Sequence, residues 1–209
     1  MSKNATVLKP KVDRRIRRTR DRLGDALINL ILQKPFETVT VQEVLDRAQV
    51  SRSTFYMHHR NKEDLFLSDV DEFWEGMATA LSRHGEASNR IAPVRELFGH
   101  IIEMPHLSRA MAASGRMHDV FELAKGHFAR GIEQRLATSP RACGISLECC
   151  APVAHALAGS LISLLSWWIR RGMRESPARM DELYHSMAWT GVNSAINPGR
   201  GSTRTLSEK

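Results

Sequence analysis

Seven side chains between positions 52 and 62 are the ones whose types and spacing could do chemistry: Arg52, Ser53, Thr54, Tyr56, Met57, His58 and Lys62. Arginine, serine and threonine on one short helix can hydrogen-bond base edges in the major groove of a duplex. Lys62, at the start of the following helix, adds a positive charge where free N–H groups could hold a phosphate. The competing interpretation is a surface hairpin with solvated charges. No one of these signals decides between the two, and together they favour DNA.

Such a helix is too short to stand alone, so its neighbours must hold it. Thr40 to Lys62 reads TVQEVLDRAQVSRSTFYMHHRNK. Val41, Val44, Leu45 and Ala48 fall at spacings of three and four, one apolar face of a helix. Thr40 is its expected N-cap, with Glu43 closing a capping box and Val39 facing Val44 as a staple. Ser51 is expected to cap the next helix, stapled by Val50 and Phe55, which leaves Gln49 and Val50 for the turn. Two capped helices this close predict a helix-turn-helix.

Charge points the same way. The chain has 209 residues and a formal charge of +7. Residues 1–22 hold nine Lys or Arg against Asp13 and Asp21, so the remainder is neutral. A basic arm of that kind suits a polyanion, nucleic acid or an anionic membrane. No signal peptide and no uninterrupted run of about 18 apolar residues is found, so no membrane partner is expected. Cys143, Cys149 and Cys150 form neither a disulfide framework nor zinc spacing, and a cytoplasmic, nucleoid-associated location follows.

Along the chain, residues 1–11 read as a mobile basic arm. A helix is expected from about Val12 to Gln33, with Ile16, Leu23, Ala26, Leu27, Leu30 and Ile31 as its stripe. With the two helices after it, it makes a three-helix DNA-binding domain over 12–60. Asn61 caps a fourth helix that reaches about Arg83 through Leu65, Phe66, Val70, Phe73, Met77 and Leu81. Its six acidic residues between 63 and 75 should lead it away from the duplex. HGEASNRIAP (84–93) is a linker by composition. Helices then follow over about 94–104 (Val94, Leu97, Phe98, Ile101, Ile102), 106–113, 117–137, 149–172 and 177–196, and NPGRGSTRTLSEK (197–209) is a disordered tail. The fold class is all-α, with about nine helices and a C-terminal effector-binding and dimerisation domain over 61–196.

The helix over 149–172 is apolar most of the way round, so it needs partners on two sides. One is a second copy of the chain, approached closely over Ala154, Ala158 and Gly159. Leu161, Ile162, Leu165 and Trp168, with Met187 and Gly191 of the last helix, complete the expected dimer face. Met104, His106, Met111, Met117, Phe121, His127 and Trp167 are candidate linings of a cavity for a small molecule, beside Phe128 and Trp168. Plain core is the commoner role of such a stripe. His100, His106, His118 and His127 lack ligand spacing, so no metal or cofactor is expected. No catalytic motif is present, and an enzyme is not expected.

VTVQEVLDRAQVSRSTFYMHHRNKEDLF resembles the DNA-binding signature of the TetR/AcrR family of bacterial transcriptional regulators, and LLSWWIRRGMRESPARM resembles the penultimate-helix stretch of one branch. The resemblance implies a homodimer on a palindromic operator, usually a repressor, released by a small-molecule effector. It implies phosphate contacts for Thr40, Tyr56 and Lys62, and a major-groove position for Arg52, Ser53, Thr54 and His58. Arg17, Ser51 and Met57 join the expected DNA contacts. It also implies a four-helix interface from the last two helices of each copy. Two residues depart from the pattern: Gln49 replaces the turn glycine, and His59 the aromatic after His58. The alternative is a dimer of this fold that binds DNA or a partner through its arm, without an effector.

Overall fold

The computed structural model describes residues 14–78, 89–142 and 147–196. The arm, the tail, Leu81, Arg83, Cys143 and the first half of the expected linker lie outside the described residues. Among the described residues there are nine α-helices and no strand: α1 (Arg14–Ile31), α2 (Val41–Ala48), α3 (Arg52–Tyr56), α4 (Lys62–Ala78), α5 (Val94–Glu103), α6 (Pro105–Ala113), α7 (Met117–Thr138), α8 (Leu147–Arg170) and α9 (Pro177–Ile196). The all-α expectation holds, with an N-terminal three-helix domain and a helical C-terminal domain.

α1 buries Leu23, Ala26, Leu27, Leu30 and Ile31, chiefly against α2 and α4. Ile16, assigned to the same stripe, is exposed. It lies nearly two turns before Leu23, beyond the reach of α2, so the stripe continues but its partner does not. Pro35 ends the helix region, and a 3-10 turn over Phe36–Thr38 buries Phe36 before α2.

α4 leaves the three-helix unit and packs on α7, so it touches both parts of the molecule. Its core residues are Leu65, Phe66, Val70 and Trp74. Trp74 was not in the expected stripe, whereas Phe73, which was, is half-buried. The Trp74 ring meets Phe128 of α7 at 5.8 Å between centroids, and that contact chooses between the two adjacent aromatics.

The second half of the expected linker is packed structure, buried over 91–93. Ile91 and Ala92 are buried, and Trp189 Nε1 donates to Asn89 O at 2.6 Å. Arg90 is held by Glu96 at 2.6 Å and Asp181 at 2.8 Å. His185 donates from Nδ1 to Asp181 O (2.8 Å) and accepts from the Ile91 N–H at Nε2 (3.1 Å). Burial keeps that imidazole neutral, which is the form able to accept there. These bonds bind the start of α5 to α9. Ile102, expected in the α5 stripe, faces solvent because α9 covers only the Val94–Leu97–Phe98–Ile101 side.

α8 is the most apolar element. Over Glu148–Arg170 it is long and apolar enough to cross a membrane by length and composition, which a search for an unbroken apolar run did not reveal. Here it lies along α7, the most extensive helix pairing in the molecule.

Candidate nucleic-acid interface

The recognition unit is assembled by hydrogen bonds that its sequence specifies. Thr40 Oγ1 accepts from Glu43 N–H at 3.3 Å, and Glu43 Oε2 accepts from Thr40 N–H at 2.9 Å, a complete capping box. Lys34 Nζ adds a contact to the same carboxylate at 2.6 Å. With Thr40 it lowers the Glu43 pKa to about 2. Ser51 Oγ accepts from Thr54 N–H at 3.2 Å and caps α3.

The turn between α2 and α3 carries the expected strain. Gln49 sits at φ 53° and ψ 48°, a left-handed conformation that costs a residue with a Cβ about 1 kcal/mol. Its carbonyl accepts from Arg22 Nη2 of α1 at 3.0 Å, and its own side chain donates to Asp46 O at 2.6 Å. The clamp from α1 was not visible in the sequence, because the two residues are 27 positions apart.

α3 has only five residues, shorter than expected. Phe55 is fully buried and anchors it. Around that anchor Arg52, Ser53, Tyr56 and Met57 are exposed, while Thr54 and His58 are half-buried. Met57 and His58 lie in the turn after the helix. Tyr56 and Met57 present 51% and 72% of their surfaces to solvent, unusual for large apolar side chains without a partner. Arg17 is exposed on α1, as expected.

Two expected phosphate contacts are otherwise engaged. Lys62 Nζ donates to Phe36 O (2.7 Å), Glu37 O (2.9 Å) and Val39 O (2.7 Å), and lies 4.9 Å from the Phe36 ring centroid. An ammonium has three donors, so all are in use. The lysine buttresses the turn before α2 instead of projecting a free charge. Thr40 Oγ1 likewise donates to Glu43 Oε2 at 2.9 Å.

The second departure from the usual pattern, His59, lies at the joint with α4. His59 is 3% exposed, with Nδ1 3.4 Å from Ser68 Oγ and 3.8 Å from Asp64, and Nε2 buried without a hydrogen bond. Burial, more than the nearby charges, pushes its pKa down. One residue past Ser68, Asp69 packs against Gly24 of α1 so closely that a Cβ there would lie 2.2 Å from its carboxylate oxygen. Desolvation, only partly opposed by Arg20, raises Asp69 to about 7.

The candidate effector residues do not converge. Met111, Phe128 and Trp168 are buried core, while His106 and Trp167 are exposed. Met104, Met117 and Phe121 are half-buried. His127 alone lines a described cavity, an open groove of about 690 Å³ between α4 and α7. There its Nε2 lies 2.6 Å from Asp71, and Arg130 lies 3.0 Å from its Nδ1. Helical spacing put these residues on faces without saying which faces would meet.

The expected dimer face is corrected in the same way. Ala154, Ala158, Leu161, Ile162, Leu165 and Trp168 are at most 2% exposed within one copy, so they cannot touch another. They form the face of α8 that packs inside the protomer. Met187 and Gly191 are exposed and Gly159 half-buried, as an interface would require. The outer stripe of α8 is instead Pro152, Ala156, Ser163 and Trp167.

These elements define an all-α protein with a helix-turn-helix DNA-binding domain. Residues 23–68 match the family model described as "Bacterial regulatory proteins, tetR family". It is similar to the HTH-type transcriptional regulator TcmR of Streptomyces glaucescens, 25% identical over 105 residues, half of this chain and 46% of that protein. It is 34% identical over 61 residues (29% of this chain, 16% of that protein) to YxbF of Bacillus subtilis (strain 168), an uncharacterized HTH-type transcriptional regulator. The chain thus spans less than half the length of the curated relatives it matches. A solved TetR transcriptional regulator from Streptococcus agalactiae 2603V shares the fold over 84% of this chain and 96% of that one, with a TM-score of 0.59 at 22% identity.

Proposed function

We propose that the chain is a sequence-specific transcriptional regulator, acting as a repressor, that binds a palindromic operator as a homodimer and is released by a small-molecule effector. The observation that carries this is the outward face of α3 and the turn after it. Arg52, Ser53, Tyr56 and Met57 face solvent on a helix and turn whose backbone is pinned by a buried phenylalanine and a serine cap. Residues 12–60 serve as the DNA-binding domain and 61–196 as the effector and dimerisation domain. Arg52, Ser53, Thr54, Met57 and His58 face bases, and Arg17 and Tyr56 face the backbone. Lys62, Thr40 and Ser51 hold the unit in shape.

Homodimerisation is supported by exposed apolar groups on the last two helices, Trp167 at 41% and Met187 at 50%. Gly159 and Gly191 have open space beside them. An effector is supported by the Trp74 indole N–H, which is buried in the C-terminal domain without a hydrogen-bond partner. Such an orphan is costly, and a polar ligand group would satisfy it. α4 carries Trp74 and contacts α1, so occupancy could shift the spacing of two recognition helices about 34 Å apart on the duplex.

Selection of bound sites from random duplexes tests this reading. A recovered palindrome with half-sites one helical turn apart is the expected result. Binding that is equal on all sequences and collapses with salt would favour the arm-driven alternative instead.

A further inference from the structure

The exposed faces of α2 and α3 are joined by one hydrogen bond, backed by a second within α2. Arg52 Nη2 donates to Gln42 Oε1 at 2.8 Å, and Gln42 Nε2 donates to Asp46 Oδ1 at 2.7 Å. All three side chains are exposed. We propose that Gln42 and Asp46 form a positioning relay that aims Arg52 and so sets which base the recognition helix prefers. This rests on the DNA-reading function proposed above.

The order of donors and acceptors is what gives the relay its direction. A glutamine amide has a donating end and an accepting end, and it can turn either toward a neighbour. An ionised aspartate only accepts. Asp46 therefore takes the Gln42 NH₂ group and turns the Gln42 carbonyl toward α3. That carbonyl accepts a single guanidinium N–H, leaving four of the five Arg52 donors for DNA. A guanidinium held in one plane presents a fork that fits guanine O6 and N7, the commonest specific arginine contact.

The same relay withholds Gln42 from the bases. A free glutamine pairs bidentately with adenine N6 and N7. With its NH₂ on Asp46 and its oxygen on Arg52, its amide plane is fixed by the protein and is not free to turn a fork to a base. Removing Asp46 should therefore change the preferred base as well as weaken the preference. The i,i+4 spacing of Gln42 and Asp46 on α2 lets the pair form before DNA arrives, so the ordering cost is met within the protein.

The test is selection from random duplexes with the full chain, wild type beside Asp46→Ala, Gln42→Ala, Asp46→Glu and the Gln42→Ala/Asp46→Ala double variant. Thermal melting checks that each is folded. In the wild type one position of each half-site should favour guanine at least tenfold over adenine. Asp46→Ala should cut that ratio at least fivefold, with adenine gaining. Gln42→Ala and the double variant should cut it without an adenine gain, and Asp46→Glu should restore it. The salt slope should stay unchanged, since no cation is removed, and Asp46→Ala and the double variant should bind random DNA at least as tightly as the wild type, since only an anion is lost. A motif whose base ranking is unmoved in Asp46→Ala and Gln42→Ala would overturn the relay and leave the regulator reading standing. A wild type that selects no motif at all would overturn both.

Discussion

α3 with its following turn and α8 each leave a large apolar side chain in solvent, yet their outer faces differ in kind. Around Tyr56 and Met57 stand hydrogen-bond donors: Arg52, Ser53, Thr54 and His58. Around Trp167 the α8 stripe offers Pro152, Ala156 and Ser163, with Arg171 5.9 Å from the indole ring centroid. A donor-rich face matches a polar, charged surface such as a duplex. A face with fewer donors matches a surface like itself. Exposure alone does not identify a partner; the polar groups beside the exposed residue do.

The contrast is broken most severely by Phe55→Ala. It should cost about 3–5 kcal/mol, because a fully buried aromatic leaves a cavity under a helix of five residues. Circular dichroism during urea unfolding should show an early transition absent from the wild type, and operator binding should vanish. Should the variant melt as one unit with the wild type, the DNA-binding part would not depend on its own core.

Trp167→Ala should act on the other face and leave the fold alone. Its expected cost is about 2 kcal/mol of dimer stability, with the monomer's melting temperature unchanged. Sedimentation at micromolar concentrations should reveal more monomer. A dimer that is untouched by this change would remove α8 from the interface.

The smallest effect sharpens the joint between the two regions. Asp69 has its pKa raised to about 7 by desolvation beside Gly24, with Arg20, Asp21 and Asp25 of α1 and Glu72 of α4 as its charged neighbours. The folded state therefore binds a proton there more tightly than the unfolded chain. Stability from the protonated carboxyl is full below the unfolded value near 4 and is lost as pH rises through about 7. Between pH 6 and pH 8 the loss should be about 1–2 kcal/mol. In Asp69→Asn the decline over that range should be absent from denaturant titrations; a decline of equal size would clear Asp69 of the effect.

Local features were legible and tertiary ones were not. Thr40, Glu43 and Ser51 act within three residues of themselves, so their spacing states their bonds. The positive φ of Gln49 follows from the turn that two nearby caps impose. Trp74 against Phe73 could not be chosen, because adjacent positions on a helix differ by about 100° and only α7 shows which side is inside. Residues 89–93 looked like linker since Asn, Arg and Pro are common in loops. They are fixed against α9, with 91–93 buried, because Asp181, His185 and Trp189, more than 85 positions later, satisfy their polar groups. The six small and apolar residues assigned to a dimer face failed for a related reason, since a helix apolar all round does not say which side its own chain will take.

By itself, then, the amino-acid order determined the helices, their caps, the strained turn and the set of side chains that could meet a duplex, since all of these depend on neighbours within a turn or two. Tertiary packing decided the rest: which apolar stripe of α4 and α8 is interior against α7, that Lys62 spends its charge on the carbonyls of Phe36, Glu37 and Val39, and that α3 crosses α2 with Arg52 against Gln42. Those outcomes turn on groups brought together from distant positions, where direction and burial, not residue type, choose the partner.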